Sequence, residues 1–522
     1  MRKLVGSICA LALLAPTPAS FARQSSDERS EPRAIPPQSD LCRQPAALPR
    51  LGKEIERQQN QRLPHRSRTG AARTSVAEAP ALMAAPPAPP PPPPPPSPPP
   101  PAEMAETASE SVVVTATRAK VAEGEAASSD RVMSDYVSPP IMPRPRPRPQ
   151  PQSGLLTAGE HDDLLNPELY SEYVRNSNVG QVARDIPTLD TERLLTIEAK
   201  DSRGQAMPFV PVEVRCANGK SITLQTVADG SSVFFPKLDR LGSRVQVRAG
   251  DSRWRSVDLA SGNGTQTIGF TLGDRAANVR KLDLALVVDV TGSMSDELRF
   301  LQAELTSIVD QINSRHRGLD IRVGFTFYRD RGDEFVTRTF SLDGNIDQAK
   351  RYIGQQQANG GGDYPEAMHT AMIRAANQPW RDDAVKSLLL VADAPPHDGD
   401  IGMTWRAAEH LRGDRVHIVP VGASGVADTA EYVMRAMAAA TQSRYTFLTD
   451  DSGIGNPHAK PAIDCYLVTR LDALLRRVID SQISGRRIEP DRNEIIRSVG
   501  KYDAGKCILP SEFSQKRRSK DT

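Results

Sequence analysis

Two stretches of the chain are apolar almost without a break and then stop on a carboxylate. Leu282 to Val288 runs into Asp289, and Leu388 to Ala392 runs into Asp393. Continuous apolar runs of this length read as strands covered on both faces, as in a parallel sheet. Further strands are predicted at 321–328 (IRVGFTFY), 415–421 (RVHIVPV) and 444–448 (RYTFL). Between these runs the apolar positions shift to helical spacing, with Leu298, Leu301, Leu305, Ile308, Val309 and Ile312 on one face. Helices are also predicted over 345–356, 366–377, 429–441 and 467–483. Strand and helix in alternation predict an α/β domain over 281–485 with a doubly wound, mostly parallel sheet.

The pattern upstream is different. From 191 to 275 short alternating runs follow one another: LLTIEA, VPVEVRC, SITLQTV, SSVFFP, RVQVRA and TIGFTL. Turn residues at 201–204, Asn218-Gly219 and Asp229-Gly230 separate them, which predicts a small all-β sandwich. Its Ala-Asp-Gly turn before an aromatic strand resembles immunoglobulin-like domains of bacterial surface proteins, an expectation of a spacer or interaction surface. Residues 154–190 read as a linker with a short helix around Leu169, Tyr170 and Tyr173, and the acids Glu160, Asp162 and Asp163 read as a solvated face.

Residues 1–22 carry Arg2 and Lys3, an apolar core and small residues at Ser20 and Ala22, the layout of a secretory signal peptide. Beyond them no run is apolar for long enough to span a bilayer, so no transmembrane helix is expected in the mature chain. The expected localisation is exported: periplasmic, outer-membrane-associated or extracellular. Residues 23–153 hold most of the 44 prolines and read as a disordered, proline-rich region. The proline tract at 86–101 would make a polyproline rod of about 50 Å. A second tract from Pro143 reads PRPRPRPQPQ. Between the tracts, Ser109 to Lys120 (SESVVVTATRAK) resembles the TonB-box-like segment of outer-membrane receptors, which implies an envelope partner for this arm. Residues 486–522 read as a C-terminal tail. Once Cys9 leaves with the signal, Cys42, Cys216, Cys465 and Cys507 remain. They allow three pairings, of which Cys465 with Cys507 would tie the tail to the α/β domain.

The candidate chemistry lies where the strands stop. After Asp289, Thr291 and Ser293 follow at alternate positions with Gly292 between them, and Ser295, Asp296 and Glu297 open a helix. A carboxylate and two hydroxyls, without sulfur or imidazole, suit a hard cation, and they equally suit a helix cap. The glycine-rich turn GGGDYPEA at 360–367 and Asp393 add oxygens from two other segments. With these three elements in order, the chain resembles the von Willebrand factor A domain family, whose metal-ion-dependent adhesion site uses a D-x-S-x-S loop, a Thr and an Asp. The resemblance implies metal ligation by Asp289, Thr291, Ser293 and Asp393, with Asp363 in place of the second-loop Thr. Asp363 either joins the ligands or faces away and caps the following helix. The implied cofactor is a divalent cation, Mg²⁺ first and Mn²⁺ or Ca²⁺ as alternatives. The segment at 450–458 (DDSGIGNPH) resembles one in secreted bacterial members of the family.

Net charge is +2, which gives no case for a nucleic-acid partner. The expected function is therefore an exported, metal-dependent protein-binding module for adhesion or assembly, with no enzymatic activity. The resemblance implies a protein partner whose acidic residue completes the metal shell. A metal-dependent hydrolase of an envelope polymer and a structural envelope scaffold stand as alternatives. Against the hydrolase, the chain has no G-x-S-x-G elbow and no HExxH motif. Arg331-Gly332-Asp333 reads as a charged turn and His397 as a loop residue near the site.

Overall fold

The computed structural model describes residues 41–51, 150–182, 186, 189–259 and 264–508. The predicted signal peptide, the proline tract at 86–101, the segment from Ser109 to Lys120 and residues 509–522 lie outside these. The chain enters through strand β1 (Thr157–His161) and helix α1 (Pro167–Asn176). Seven strands follow: β2 (Leu195–Asp201), β3 (Pro211–Cys216), β4 (Ser221–Gln225), β5 (Ser231–Phe234), β6 (Arg244–Ala249), β7 (Arg255–Asp258) and β8 (Gln266–Leu272). The α/β part then runs β9 (Lys281–Asp289), α2 (Leu298–Arg315), β10 (Asp320–Tyr328), β11 (Thr337–Asp343), α3 (Ile346–Gly354), α4 (Met368–Ala376) and β12 (Val385–Ala392). It closes with α5 (Ile401–Gly413), β13 (Val416–Gly422), α6 (Asp428–Ala440), β14 (Tyr445–Thr449), β15 (Tyr466–Arg470), α7 (Leu471–Ser484) and β16 (Arg497–Val499).

The large sheet has nine strands in the order β11-β10-β9-β12-β13-β14-β1-β15-β16. The block β10-β9-β12-β13-β14 is parallel, as its buried apolar runs predict. Along β9 the side chains divide between two cores. Leu282, Leu284, Leu286 and Val288 pack with Leu301, Leu305 and Ile308 of α2 and Leu474 and Val478 of α7. Ala285 and Val287 pack with Met372 of α4, Leu411 of α5 and Met434 of α6. Each fully buried aliphatic side chain contributes roughly 1.5–3 kcal/mol. The doubly wound α/β expectation matches this architecture.

The upstream strands form two sheets, β5-β2-β8 and β4-β3-β6-β7, around a core that includes Leu195, Ile197, Val212, Val214, Val247 and Phe270. All six predicted runs are strands, and β7 is an addition. The two sheets dock on the amino edge of the parallel strands. There Arg412, in the last turn of α5, donates to both carboxylate oxygens of Asp239 at 2.7 and 2.8 Å. Arg415, just before β13, stacks 4.2 Å from the Phe209 ring. The carboxyl edge, where the candidate ligands lie, is on the opposite side of the sheet.

Four expectations need correction. First, the segment read as a linker supplies β1, which lies between β14 and β15 and pairs antiparallel with both. Its acids are not a solvated face. Glu160 is fully buried and bonds Arg444 at 2.7 Å and Arg477 at 2.9 Å, and Asp163 takes a bidentate bond from the buried Arg435. The strand's entry is held by Glu304 of α2, whose carboxylate accepts the backbone N–H groups of Gly154, Leu155 and Leu156 at 2.9–3.1 Å. Second, residues 41–51 fall inside the stretch expected to be disordered, yet they carry fixed contacts. Cys42 is disulfide-bonded to Cys216, and Arg43 pairs with Glu409 at 2.7 Å. Third, Leu467 to Arg470 belong to β15, and the closing helix begins at Leu471. Fourth, the tail continues the fold to Ile508: β16 extends the sheet, Arg487 pairs with Asp162 at 2.9 Å, and Cys465 is bonded to Cys507.

Burial alone would push the Glu160 carboxyl up, but the charges of Arg444, Arg477 and Arg487 outweigh it and bring its pKa down to about 2. A carboxyl with a lowered folded-state pKa stabilises the fold above its unfolded value and loses that contribution as pH falls toward the folded value. Glu160→Ala leaves the buried Arg444 without its counter-charge and Arg477 with only Glu494 at 3.5 Å, and is expected to destabilise by about 3–5 kcal/mol in urea unfolding near neutral pH. The gap between wild type and variant should narrow as pH falls from about 4.5 toward about 2. A variant within 1 kcal/mol of wild type at neutral pH would show the clamp to be dispensable.

Candidate metal site

Register brings the first and third loops together. Val288 of β9 lies opposite Val391 of β12, so Asp289 and Asp393 leave adjacent strands at nearly the same level. Asp289 is fully buried. Its Oδ1 accepts from the Thr291 N–H at 2.9 Å and the Thr291 hydroxyl at 2.6 Å, and that hydroxyl lies 3.1 Å from the Ser293 hydroxyl. Ser293 is also hydrogen-bonded to Asp393. Asp289, Thr291, Ser293 and Asp393 therefore form one connected group at the carboxyl edge. A single turn of 3-10 helix (Gly292–Asp296) then leads into α2.

The second loop arrives through its glycines. The carbonyl of Gly360 accepts from the Gly292 N–H at 3.0 Å, and Gly360 and Gly361 have φ of +79° and +72°. A Cβ on Gly361 would stand 2.9 Å from Glu366 Oε1 and 3.4 Å from the Thr291 Cβ, so this close approach requires glycine. The chain beyond is tied to the third loop, where the Glu366 N–H donates to the Pro395 carbonyl at 3.0 Å.

That tie bears on the second loop, where Asp363 had two expected roles, ligand or helix cap. Asp363 lies exposed on the outside of the turn, and it does not cap a helix, because α4 begins only at Met368. Glu366, read at sequence level as the start of a helix, is the acid that turns inward, and only 3% of it is exposed. Its position three residues after Asp363, inside GGGDYPEA, was the available signal.

Three carboxylates now crowd a buried space. Asp393 Oδ1 and Glu366 Oε2 are buried without a hydrogen-bond partner, and Asp289 faces the buried Tyr328 hydroxyl. Burial pushes the Glu366 carboxyl up to about 9, with further upward pressure from Asp289, Asp330, Asp393 and Asp333. Burial, and then the neighbouring Asp393, raises Asp289, and burial raises Asp393. Orphaned buried carboxylate oxygens are costly unless protons or a cation compensate them. The donor set fits a hard divalent cation. Among the described residues no three His, Cys, Asp or Glu side chains group tightly enough to hold a metal by themselves. The Thr291 and Ser293 hydroxyls would therefore complete the shell begun by Asp289 and Asp393, with Glu366 behind them.

The surrounding charges serve to join loops. Asp333 of the Arg-Gly-Asp turn accepts from the Gly361 N–H at 2.8 Å and the Asp330 N–H at 3.0 Å, and Arg331 pairs with Asp400. The tripeptide is an internally bonded turn, as expected. His397 lies 2.7 Å from Asp330, and the buried His369 faces Asp400 at 3.2 Å.

Residues 283–455 match the family model of the von Willebrand factor A domain. Among curated proteins, the chain is 30% identical over 118 residues to the alpha-protein kinase vwkA of Dictyostelium discoideum, covering 22% of this chain and 19% of that protein. It is 39% identical over 123 residues to a putative ariadne-like RING finger protein of Acanthamoeba polyphaga mimivirus, covering 23% of this chain and 12% of that one. The chain thus spans less than a fifth of either relative's length. Among solved structures, BatB of Bacteroides thetaiotaomicron aligns at 11% identity and a TM-score of 0.27, over 39% of this chain and 98% of that one. The pilus adhesin SpaC of Lactobacillus rhamnosus GG aligns at 15% and 0.30, over 46% of this chain and 31% of that one.

Charge crowding predicts an unusual mutant. In chelator, Asp289→Asn should keep the Oδ1 acceptor, remove a buried charge and raise stability by about 1–3 kcal/mol. Asp363→Asn should stay within about 0.5 kcal/mol of wild type. Denaturant unfolding measures both, and a destabilised Asp289→Asn protein would contradict the crowding.

Proposed function

We propose that the von Willebrand factor A domain carried at residues 283–455 is a divalent-cation-dependent protein-binding module of an exported protein. The observation that carries this reading is the convergence of three buried carboxylates, with unpartnered oxygens on Asp393 and Glu366, on two hydroxyls at the carboxyl edge of the sheet. Asp289, Thr291, Ser293 and Asp393 would hold the ion, Mg²⁺ before Mn²⁺ or Ca²⁺, and Glu366 would support them from the second loop. Once bound, the cation supplies positive charge that relieves the crowding and a Lewis-acidic point for a partner's oxygen.

The chain's own residues prepare that surface. Thr291 orients Asp289, Ser293 stands exposed at the mouth, and the Gly360 and Gly361 turn keeps the second loop against the first. Export is supported by the signal-like residues 1–22 and by the two disulfides, which suit an oxidising compartment.

Titration calorimetry of Mg²⁺, Mn²⁺ and Ca²⁺ into the mature chain tests the reading. One saturable site is expected, abolished by Asp289→Ala and by Asp393→Ala. Glu366→Gln should weaken it about 10–100-fold, while Asp363→Ala leaves it in place. No heat with any of the three ions would remove the cation-dependent reading.

A further inference from the structure

The rim around the candidate cation site is acidic and carries one exposed aromatic ring. Asp363 on the second loop, Asp398 on the third and Asp428 at the start of α6 are exposed, and Asp296 is half-exposed on the first. Tyr364 is 46% exposed, although its hydroxyl is fixed: it donates to the Gly425 carbonyl at 2.8 Å and accepts from the Ala427 N–H at 3.0 Å. The ring therefore bridges the second loop and the loop before α6, with Asp363 preceding it and Asp428 following Ala427. A pinned, exposed aromatic ring is a low-entropy contact surface.

The charge balance of this face decides which partner suits it. The basic side chains bonded to these loops are already engaged: Arg331 with Asp400, Arg329 with Glu334 and the Val290 and Gln357 carbonyls, His397 with Asp330, and His458 with Glu297 and Asp450. Beneath the rim, Asp393 and Glu366 present unpartnered oxygens beside Asp289, and all three residues are nine-tenths or more buried. A divalent ion balances Asp289 and Asp393, and the exposed Asp363, Asp398 and Asp428 then leave the rim negative with the site filled. An acidic ligand would approach against that field. A guanidinium meets complementary groups instead: a ring face for cation–π contact and carboxylates for charge-assisted hydrogen bonds.

We propose that this face binds its partner through a basic, arginine-bearing polypeptide segment, with Tyr364 as the aromatic platform and Asp363, Asp398 and Asp428 as the counter-charges. The proposal rests on the reading that this is the partner-binding face, and it reverses the charge of the ligand expected from the family resemblance. Asp363, displaced from the metal shell, becomes a determinant of partner choice.

The test uses the mature chain in Mg²⁺ at physiological ionic strength and fluorescence anisotropy with labelled peptides rich in Arg, Lys or Glu on one Gly-Ser background. The Arg peptide should bind more tightly than the Lys peptide, and the Glu peptide should not bind. Tyr364→Ala should narrow the Arg-over-Lys preference. The triple change Asp363→Asn, Asp398→Asn, Asp428→Asn should weaken Arg-peptide binding at least about tenfold. Asp382→Asn, exposed at the opposite edge of the sheet, should change nothing. Binding of the Glu peptide, tightened by the triple change, would overturn the proposal and keep the cation-dependent reading. Arg-peptide binding that is absent, or indifferent to the rim variants, would also overturn it. Loss of the cation site itself would register in the calorimetry and not in these comparisons.

Discussion

Everything at the carboxyl edge follows from one constraint: the parallel pairing of β9 with β12 puts two buried aspartates side by side. Val288 opposite Val391 leaves no alternative, because β9 ends on Asp289 and Asp393 directly follows Ala392, the last residue of β12. Repulsion between buried like charges would separate the loops if the sheet could yield. It cannot yield cheaply, since both faces of these strands are packed by helices. The fold therefore holds the carboxylates in an arrangement that the loops alone would not adopt, and the electrostatic cost is available to whatever compensates it.

The remainder of the described chain stiffens that sheet. Strand β1 is contributed by residues upstream of the sandwich and fills the position between β14 and β15, anchored by Glu304 on α2 at its entry and by the Glu160 clamp at its exit. Two disulfides and the Arg412–Asp239 pair fasten the flanking segments and the sandwich. These attachments leave the carboxyl edge clear. The helix that leaves the first loop is the same one that grips the incoming strand, so the site and the upstream chain share one structural element.

Much of this was legible in the sequence wherever apolar pattern carried the information. The runs at Leu282 to Val288 and Leu388 to Ala392 are strands, six short runs make the sandwich, and Asp289, Thr291, Ser293 and Asp393 come together. What escaped depended on partners distant along the chain. TAGEH looks like a polar linker because Glu160 belongs inside only in the presence of Arg444 and Arg477, nearly three hundred residues or more away. The inward-facing acid of the second loop was hidden for a local reason. Left-handed glycines reverse the chain before Asp363, and the tie from Glu366 to Pro395, which no local pattern encodes, decides which acid faces inward.

The proposed divalent cation would sit where Asp289, Thr291, Ser293 and Asp393 converge. Crystals of the mature chain grown with Mn²⁺, measured for anomalous scattering, would locate the ion directly. A single strong peak is expected within coordination distance, roughly 2.0–2.4 Å, of oxygens from those four residues, and none beside Asp363. A map with no peak there at saturating Mn²⁺, or with the peak at another cluster, would rule out a cation at this site.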